Sequence, residues 1–465
     1  MTRAALLMLP AVAALLAACA GGPPPTRPPV LLPPAYADAG AEPGAVLAAD
    51  WWKAYRESAL DALVDQALAA NLDLKLAAAR VDEAAVAVTL ARSAQWPSIG
   101  LNTAVTRSRS SLLNGQPITQ AEATTHVVSL STSFEIDLWG RLRNATSAAQ
   151  EQLLSTQYGR DTVRLALVGT LVQTWFAVRA LDLQQATIAQ QLQLRGDSLA
   201  LVQRRVRGGV ASGLDQAQAE AALAALAAQQ HELARQRELL VHQLGVLAGQ
   251  PGLQLAADAR ALPPLQAVPP GLPSELLQRR PDVQQAEAAM RASFANFDYV
   301  KKSAWPVLAL TGSLGQQSAD LADLLKTGAR IWSIGPSLLV SVFDAGRNQA
   351  RSAEARAQAE QAAIGWQQTA QTAFREVADA LSNQRLLAAQ EAELERQRAA
   401  AKDAQRLSVK RYDAGYSAYL DVLDAQRSEL DAELALLRVR QQRLDAQVAL
   451  QKALGGGWQA EQAAR

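Results

Sequence analysis

The 465-residue sequence is poor in the residues that carry most enzyme chemistry: one cysteine, three histidines and 5 % aromatic residues. A single cysteine forms no internal disulfide, and none of His126, His231 and His242 stands at metal-ligand spacing from a cysteine or an acidic residue. No phosphate-cradling glycine loop and no nucleophile motif follows a strand-like run, so an enzyme reading has little to stand on. His231 and His242 read as solvated helix residues and His126 as a loop-edge residue. An excess of either charge is also missing. Forty-five basic residues face 44 acidic ones, net +1, with no Lys/Arg run, which leaves no footprint for nucleic acid. No metal and no diffusible cofactor is expected. What the sequence has in quantity is Ala, Leu, Gln, Arg and Glu, strong helix formers in the proportions of long helices and coiled coils.

The N-terminus reads as an export signal over 1–18: Thr2-Arg3, then an apolar run over 4–18 that is too short to cross a bilayer as a helix. It ends in Leu16-Ala17-Ala18-Cys19, which resembles the lipobox of bacterial lipoproteins. That resemblance implies cleavage before Cys19 and a covalent lipid on it, N-palmitoyl and S-diacylglycerol. The alternative is that Cys19 is a small apolar residue of the signal. Ala20, where some lipoproteins have Asp, implies by the same resemblance sorting to the outer membrane. Residues 19–45 then form a proline-rich tether that supports neither helix nor sheet.

Laid over itself, the chain is duplicated. Asn71-Leu72-Asp73-Leu74 matches Arg280-Pro281-Asp282-Val283, and Trp96-Pro97 matches Trp305-Pro306, at an offset of about 209 residues. Trp139-Gly140-Arg141 then matches Ala345-Gly346-Arg347, and Gly209 matches Gly415, at about 206. The first copy occupies 46–250 and the second 274–455. A proline-rich equatorial segment over 251–273 joins them, and a C-terminal equatorial tail covers 456–465.

Each copy has the same order. A helix over 60–95, or 274–304, ends at Trp-Pro, where proline removes a donor and disfavours a helical residue before it. A period of two follows, predicting hairpins over 98–138 and 307–344. Ile99, Leu101 and Val105, and on the returning run Val128, Leu130 and Phe134, alternate with small or polar residues; the second copy does the same less cleanly with Leu310, Leu314, Ile334 and Leu338. Strands with one apolar and one small polar face suit a soluble sandwich or a membrane barrel. Four strands close no barrel alone, so a barrel needs several chains, and three would supply twelve. Helical periodicity then runs over 140–207 and 346–413, on the order of 100 Å of helix each at 1.5 Å per residue. It breaks at Gly209 and Gly415 and returns over 214–249 and 420–454. Past the second break stand Leu420, Asp421, Asp424 and Arg427; the first copy keeps Leu214-Asp215 but has Gln218 and Ala221 in place of Asp424 and Arg427.

Trp51-Trp52, Leu60-Asp61-Ala62-Leu63-Val64 with Asn71-Leu72-Asp73-Leu74, Arg279-Arg280-Pro281-Asp282-Val283, Phe343-Asp344-Ala345-Gly346-Arg347, Leu420-Asp421-Val422-Leu423-Asp424-Ala425-Gln426-Arg427, and the Lys452 to Trp458 ending, taken in order, resemble the outer-membrane efflux proteins. These are the TolC-like channels, and the resemblance is to the lipoprotein branch serving resistance-nodulation-division (RND) pumps. It implies an α+β membrane protein: a homotrimer with a twelve-stranded outer-membrane β-barrel, four strands per chain, a long periplasmic α-helical barrel and an equatorial domain. It implies passive export of small molecules from an inner-membrane RND pump through a periplasmic adaptor, with the chain in the outer membrane and lipid-anchored. It also implies a periplasmic gate at Leu420, Asp424 and Arg427, with Asp421 three residues from Asp424 on one helix turn, Tyr412 near the same tip, and adaptor contact at the helix turns around Gly209 and Gly415. Two other readings share features: a type I protein-secretion channel shares the fold, and a periplasmic adaptor lipoprotein carries one helical hairpin where this chain carries two.

Overall fold

The computed structural model describes residues 28–30, 33, 36, 48–109, 122–266, 268 and 273–459. The expected signal segment, the lipidation site Cys19, most of the tether and the hairpin connection 110–121 lie outside the described residues.

In order, the chain forms a short 3₁₀ turn (Trp51–Tyr55), α1 (Ser58–Ala70), α2 (Leu72–Ser93), β1 (Ser98–Arg109), β2 (Glu122–Glu135), α3 (Arg141–Arg207) and α4 (Gly213–Leu247). The second copy follows with α5 (Pro273–Arg279), α6 (Pro281–Lys302), β3 (Val307–Ser318), β4 (Arg330–Leu339), α7 (Arg347–Asp413) and α8 (Tyr419–Ala453). Helices α3 and α7 have 67 residues each, and α4 and α8 have 35 each.

Three boundaries differ from the sequence expectation. The helix expected over 60–95 is two helices, because Asn71 leaves the helical region (ψ 131); its Oδ1 accepts from Leu74 N at 3.0 Å and its Nδ2 donates to Leu247 O at 3.0 Å. Asn71 thus caps α2 and ties it to α4. The helix expected over 274–304 breaks at Arg280, where the following Pro281 supplies no N–H and opens α6 at its first position. The last strand stops at Leu339, so Val340 and Val342 lie beyond the sheet. His126, expected at a loop edge, lies inside β2 opposite Val105 and Ser318. His231 and His242 are exposed on α4.

The described residues divide into two compact units, each assembled from both copies: those within 80–156 and 285–367 form the body of one, and those within 48–79, 157–284 and 368–459 the body of the other. The first unit is organised by one antiparallel sheet in the order β1-β2-β3-β4. Register makes its two faces into rows. Leu101, Leu130, Leu314 and Trp332 stand side by side across the four strands, and so do Gly100, Ser131, Ser313 and Ser333 on the other face. The apolar row is exposed, with Leu101 at 69 % and Trp332 at 74 % exposure, where a soluble sheet would bury it. Among the described residues β1 and β4 each pair on one side only. Below the strands Trp139 donates from Nε1 to Pro306 O at 2.7 Å and meets Trp305 edge to face at 5.1 Å, so the Trp-Pro of one copy is held by the tryptophan that follows the hairpin of the other.

The second unit holds the apolar core. Trp51, Trp52 and Tyr55 pack with Leu60 and Val64 of α1, Leu171 and Phe176 of α3, Leu244 of α4 and Val448 of α8, side chains each stabilising by about 1.5–3 kcal/mol on full burial. Burial raises the pKa of the Tyr55 hydroxyl, which donates to Gln447 Oε1 at 3.2 Å. Arg179, 2 % exposed, is neutralised by Glu57 at 2.7 Å and donates to the carbonyls of Asp258 and Arg260 at 3.1 Å each, so the inter-copy segment is fixed by its backbone. Arg280 does the same for the end of α8: it pairs with Asp282 and Glu376 and donates to Ala453 O at 3.2 Å. Helix α3 is the one described helix long and apolar enough to cross a membrane, but most of its apolar stretch is buried inside the protein.

Candidate functional site

Both long helices end in the same way. At the end of α3, Gly209 (φ +72) lets Val210 N reach Arg205 O at 2.9 Å while Gly209 N reaches Val206 O at 3.0 Å. At the end of α7, Gly415 (φ +79) brings Tyr416 N to Arg411 O at 2.8 Å and Gly415 N to Tyr412 O at 3.0 Å. These paired bonds satisfy the last carbonyls of each helix, and the left-handed conformation they need is available to glycine at no steric cost. Gly209 and Gly415 are both exposed.

The helices that restart differ. Ser212 caps α4 with a reciprocal box: its hydroxyl accepts from Asp215 N, and Asp215 Oδ2 accepts from Ser212 N, both at 3.2 Å. In the second copy Ala418 stands at the cap position and offers no side-chain bond. Asp215 is thus committed to the cap, whereas its counterpart Asp421 is not. The Ser-x-x-Asp spacing in the first copy is a sequence signal for that difference.

What anchors the start of α8 is packing. Tyr419, 4 % exposed, sits with Val422 in a cluster with Val202 of α3 and Ala219 of α4, bordered by Val409 and Tyr412. Tyr412 meets Tyr419 at 5.3 Å between centroids, and burial raises the pKa of the Tyr419 hydroxyl. Arg205 closes the arrangement: its Nη2 lies 3.1 Å from Asp413 Oδ1 and its guanidinium 4.9 Å from the centre of the Tyr412 ring. Arg205, Asp413 and Tyr419 were not among the residues singled out from the sequence, because residues 208 apart leave no periodic trace of their pairing.

With Tyr419, Val422, Gln426 and Leu430 turned inward, the opposite side of α8 is an exposed stripe of Leu420, Asp421, Asp424 and Arg427. Asp424 and Arg427 are brought together at 3.6 Å as an i,i+3 pair, both largely in solvent, a contact worth about 0–1 kcal/mol. Asp421 and Asp424 share the stripe one turn apart. Tyr412 is separated from it, being part of the packed cluster. No group of three or more potential metal ligands occurs among the described residues.

Farther along α8, Asp445 is a half-buried residue whose carboxyl points inward. Burial raises its pKa from 3.8 to about 6, only partly opposed by Gln441, whose Nε2 donates to Oδ2 at 3.0 Å; Oδ1 is buried without a partner. Because the folded pKa lies above the unfolded one, the neutral form favours folding fully below pH 3.8, and that contribution is lost as pH rises through about 6. Asp445→Asn is therefore expected to stabilise the protein at pH 7.5, by about 2 kcal/mol per chain, and to have little effect at pH 4. Thermal unfolding at the two pH values checks it, and equal shifts at both would remove burial of the charge as the cause.

The family model described as Outer membrane efflux protein matches the chain twice, over residues 63–250 and 272–456, one match in each copy. The outer membrane protein OprJ of Pseudomonas aeruginosa is 34 % identical over 435 residues, covering 91 % of this chain and 89 % of that protein. The cation efflux system protein CusC of Escherichia coli is 31 % identical over 417 residues, covering 88 % and 89 %. The solved structure of the outer-membrane channel OprN superposes with a TM-score of 0.86 at 28 % identity, covering 93 % of this chain and 99 % of that one.

Proposed function

The chain belongs to the outer membrane efflux protein family, and from that premise we propose that three copies of it close a single exit pore. It is an outer-membrane protein and the outer-membrane component of an efflux system. The observation that carries the trimer is the open sheet with its apolar row exposed and with β1 and β4, among the described residues, paired on one side only. In hydrocarbon each unsatisfied backbone group costs several kcal/mol, so a spanning sheet has to close. In this order β1 and β4 run antiparallel to one another, and β4 of one copy can take β1 of the next. Two copies would give eight strands, an interior that side chains fill; three give twelve, which leaves room for water and solute. The row of Gly100, Ser131, Ser313 and Ser333 then lines the conduit with small polar groups that distinguish little between solutes.

Conduction is passive in this reading. The sequence holds no nucleotide-binding motif, so the energy comes from an inner-membrane pump of the RND type, reached through a periplasmic adaptor that contacts the turns at Gly209 and Gly415. Leu420, Asp421, Asp424 and Arg427 close the periplasmic end, a role supported by their exposure on one stripe and by the occurrence of Asp424 and Arg427 in one copy only, which makes each of those two a three-fold ring in a trimer. Tyr412 contributes by holding α8 against the first copy. Cys19 carries the lipid anchor, supported by the lipobox resemblance. Electron microscopy of the purified protein in lipid nanodiscs tests the assembly: a three-fold ring with a central pore is expected, and a monomer without a pore would overturn it.

A further inference from the structure

Among the described residues the strands of the sheet carry arginine at Arg107, Arg109 and Arg330, and register puts all of them on one face. Alternate residues of a strand share a face, so Arg107 and Arg109 of β1 continue the side of Ile99, Leu101 and Val105, and Arg330 of β4 continues that of Trp332 and Ile334. The face of Gly100, Ser131, Ser313 and Ser333 has no lysine or arginine on any described strand residue. The arginines also lie at the hairpin-tip ends of their strands. At the base, where the chain leads into α3 and α7, the apolar face closes on Ile99, Phe134, Leu308 and Leu338 and bears no charge.

The charges at the tip end do not cancel on this face. Arg107 Nη2 lies 2.9 Å from Glu122 Oε2 and Arg109 Nη1 3.8 Å from Glu122 Oε1, so two guanidiniums share one carboxylate. Arg330 is exposed and has no ion-pair partner among the described residues. In the β3–β4 connection Lys326 pairs with Asp323, which leaves Asp320; residues 110–121 of the other connection include no charged residue.

The change from apolar to basic comes after Val105 on β1 and after Trp332 on β4. Trp332 stands in register with Leu101, four residues nearer the base than Val105. A level plane through tilted barrel strands slides along the register in this way, and the duplication gives its direction. Leu310, the counterpart of Leu101, pairs with Phe134, one residue past the Ser98–Ser133 pair, and so also stands four residues nearer the base. The arginines of β1 and β4 therefore lie near one height in a barrel. Where β4 of one copy takes β1 of the next, Arg330 comes beside Arg107 and Arg109 of that next copy, about 5 Å away from strand to strand.

We propose that each junction between two copies binds an anionic, phosphate-bearing lipid headgroup of the outer leaflet. With the helices on the periplasmic side, the hairpin tips stand at that leaflet. Trp332 ends the apolar band where tryptophans gather, at headgroup level, and the guanidiniums beyond it offer paired N–H donors to phosphate oxygens. Three guanidiniums around the one carboxylate of Glu122 lack an anion, and the acyl chains of such a lipid would lie along the apolar band that the same face provides. Because the base end carries no such charge, the preference belongs to one leaflet. The inference rests on the trimer reading, since no single copy brings Arg330 beside Arg107, and it is independent of the gate and of the solute carried.

Native mass spectrometry of the full-length protein in neutral detergent, incubated with equal amounts of phosphatidylglycerol and phosphatidylcholine, tests the site. A three-chain mass that retains phosphatidylglycerol over phosphatidylcholine is expected. Arg330→Gln, and separately Arg107→Gln with Arg109→Gln, should lower that preference by roughly fivefold per arginine removed and leave the three-chain mass unchanged. Arg356→Gln, which removes an exposed cation of α7, should leave the preference as it was. A three-chain protein with no preference, or with one that survives both sets of substitutions, overturns the proposal and leaves the assembly standing. A single-chain mass overturns the assembly and the site together. Displacement of the lipid by inorganic phosphate would make this a site for a free anion and overturn the lipid reading.

Discussion

Replacing Asp424 and Arg427 together with alanine is expected to raise the single-channel conductance of the protein in planar bilayers several-fold, with its assembly and thermal stability unchanged. The two halves of that expectation come from the same geometry. The pair spans 3.6 Å on the exposed side of α8 with both side chains largely in solvent, so its loss costs the folded chain about 0–1 kcal/mol. On the axis of the proposed trimer, however, the substitution would remove six charges and their water shells from the proposed gate. Arg205→Ala makes a useful contrast. It breaks the ion pair to Asp413 and the contact with Tyr412 that hold the start of α8 against the first copy, leaving the stripe itself intact. It should raise the frequency of opening more than the size of the open current. Conductance unchanged in the Asp424/Arg427 variant would remove these residues from the gate.

The second large effect concerns the sheet. Leu314→Arg is expected to abolish recovery of the protein from the outer-membrane fraction, whereas Ser313→Arg, one residue earlier, should insert and lower conductance. Leu314 stands in the apolar row with Leu101, Leu130 and Trp332, and Ser313 in the opposite row with Gly100, Ser131 and Ser333. An arginine facing lipid costs about 2–4 kcal/mol near the bilayer midplane, and a trimer carries it three times. An arginine facing water costs little to insert and narrows the conduit. Membrane fractionation and bilayer recordings read the two outcomes, and equal insertion of both variants would reverse the assignment of the faces.

The parts legible in the sequence were those written by local periodicity. The strand faces follow from a period of two, and a lipid-facing sheet needs no partner from elsewhere in the chain to declare itself. Helices α3 and α7 end within a residue of where the periodic runs end, at glycines whose turn geometry is local as well. Breaks that depend on contacts were missed. Asn71 interrupts a run that is helical by composition on both sides, and what makes the interruption stable is partly Leu247 O, 176 residues away. Pro281 was visible, yet the periodicity around it reads through the break at Arg280, whose side chain is held by Glu376 and Ala453 O. At the tip the charged stripe was found from sequence because it is a helix-face pattern, while Arg205 and Tyr419, which hold that helix in place, belong to contacts between copies.

The sheet order β1-β2-β3-β4, with a free edge on either side, also bears on how the protein reaches its membrane. Among the described residues one chain supplies a single four-stranded open sheet, which by itself leaves its edge backbone groups unpaired in hydrocarbon. Insertion and oligomerisation become one event, and its rate scales with a high power of the local concentration of chains. A lipid anchor that gathers chains on one membrane surface would then act as a concentrating device, setting how fast pores appear and leaving their final stability untouched.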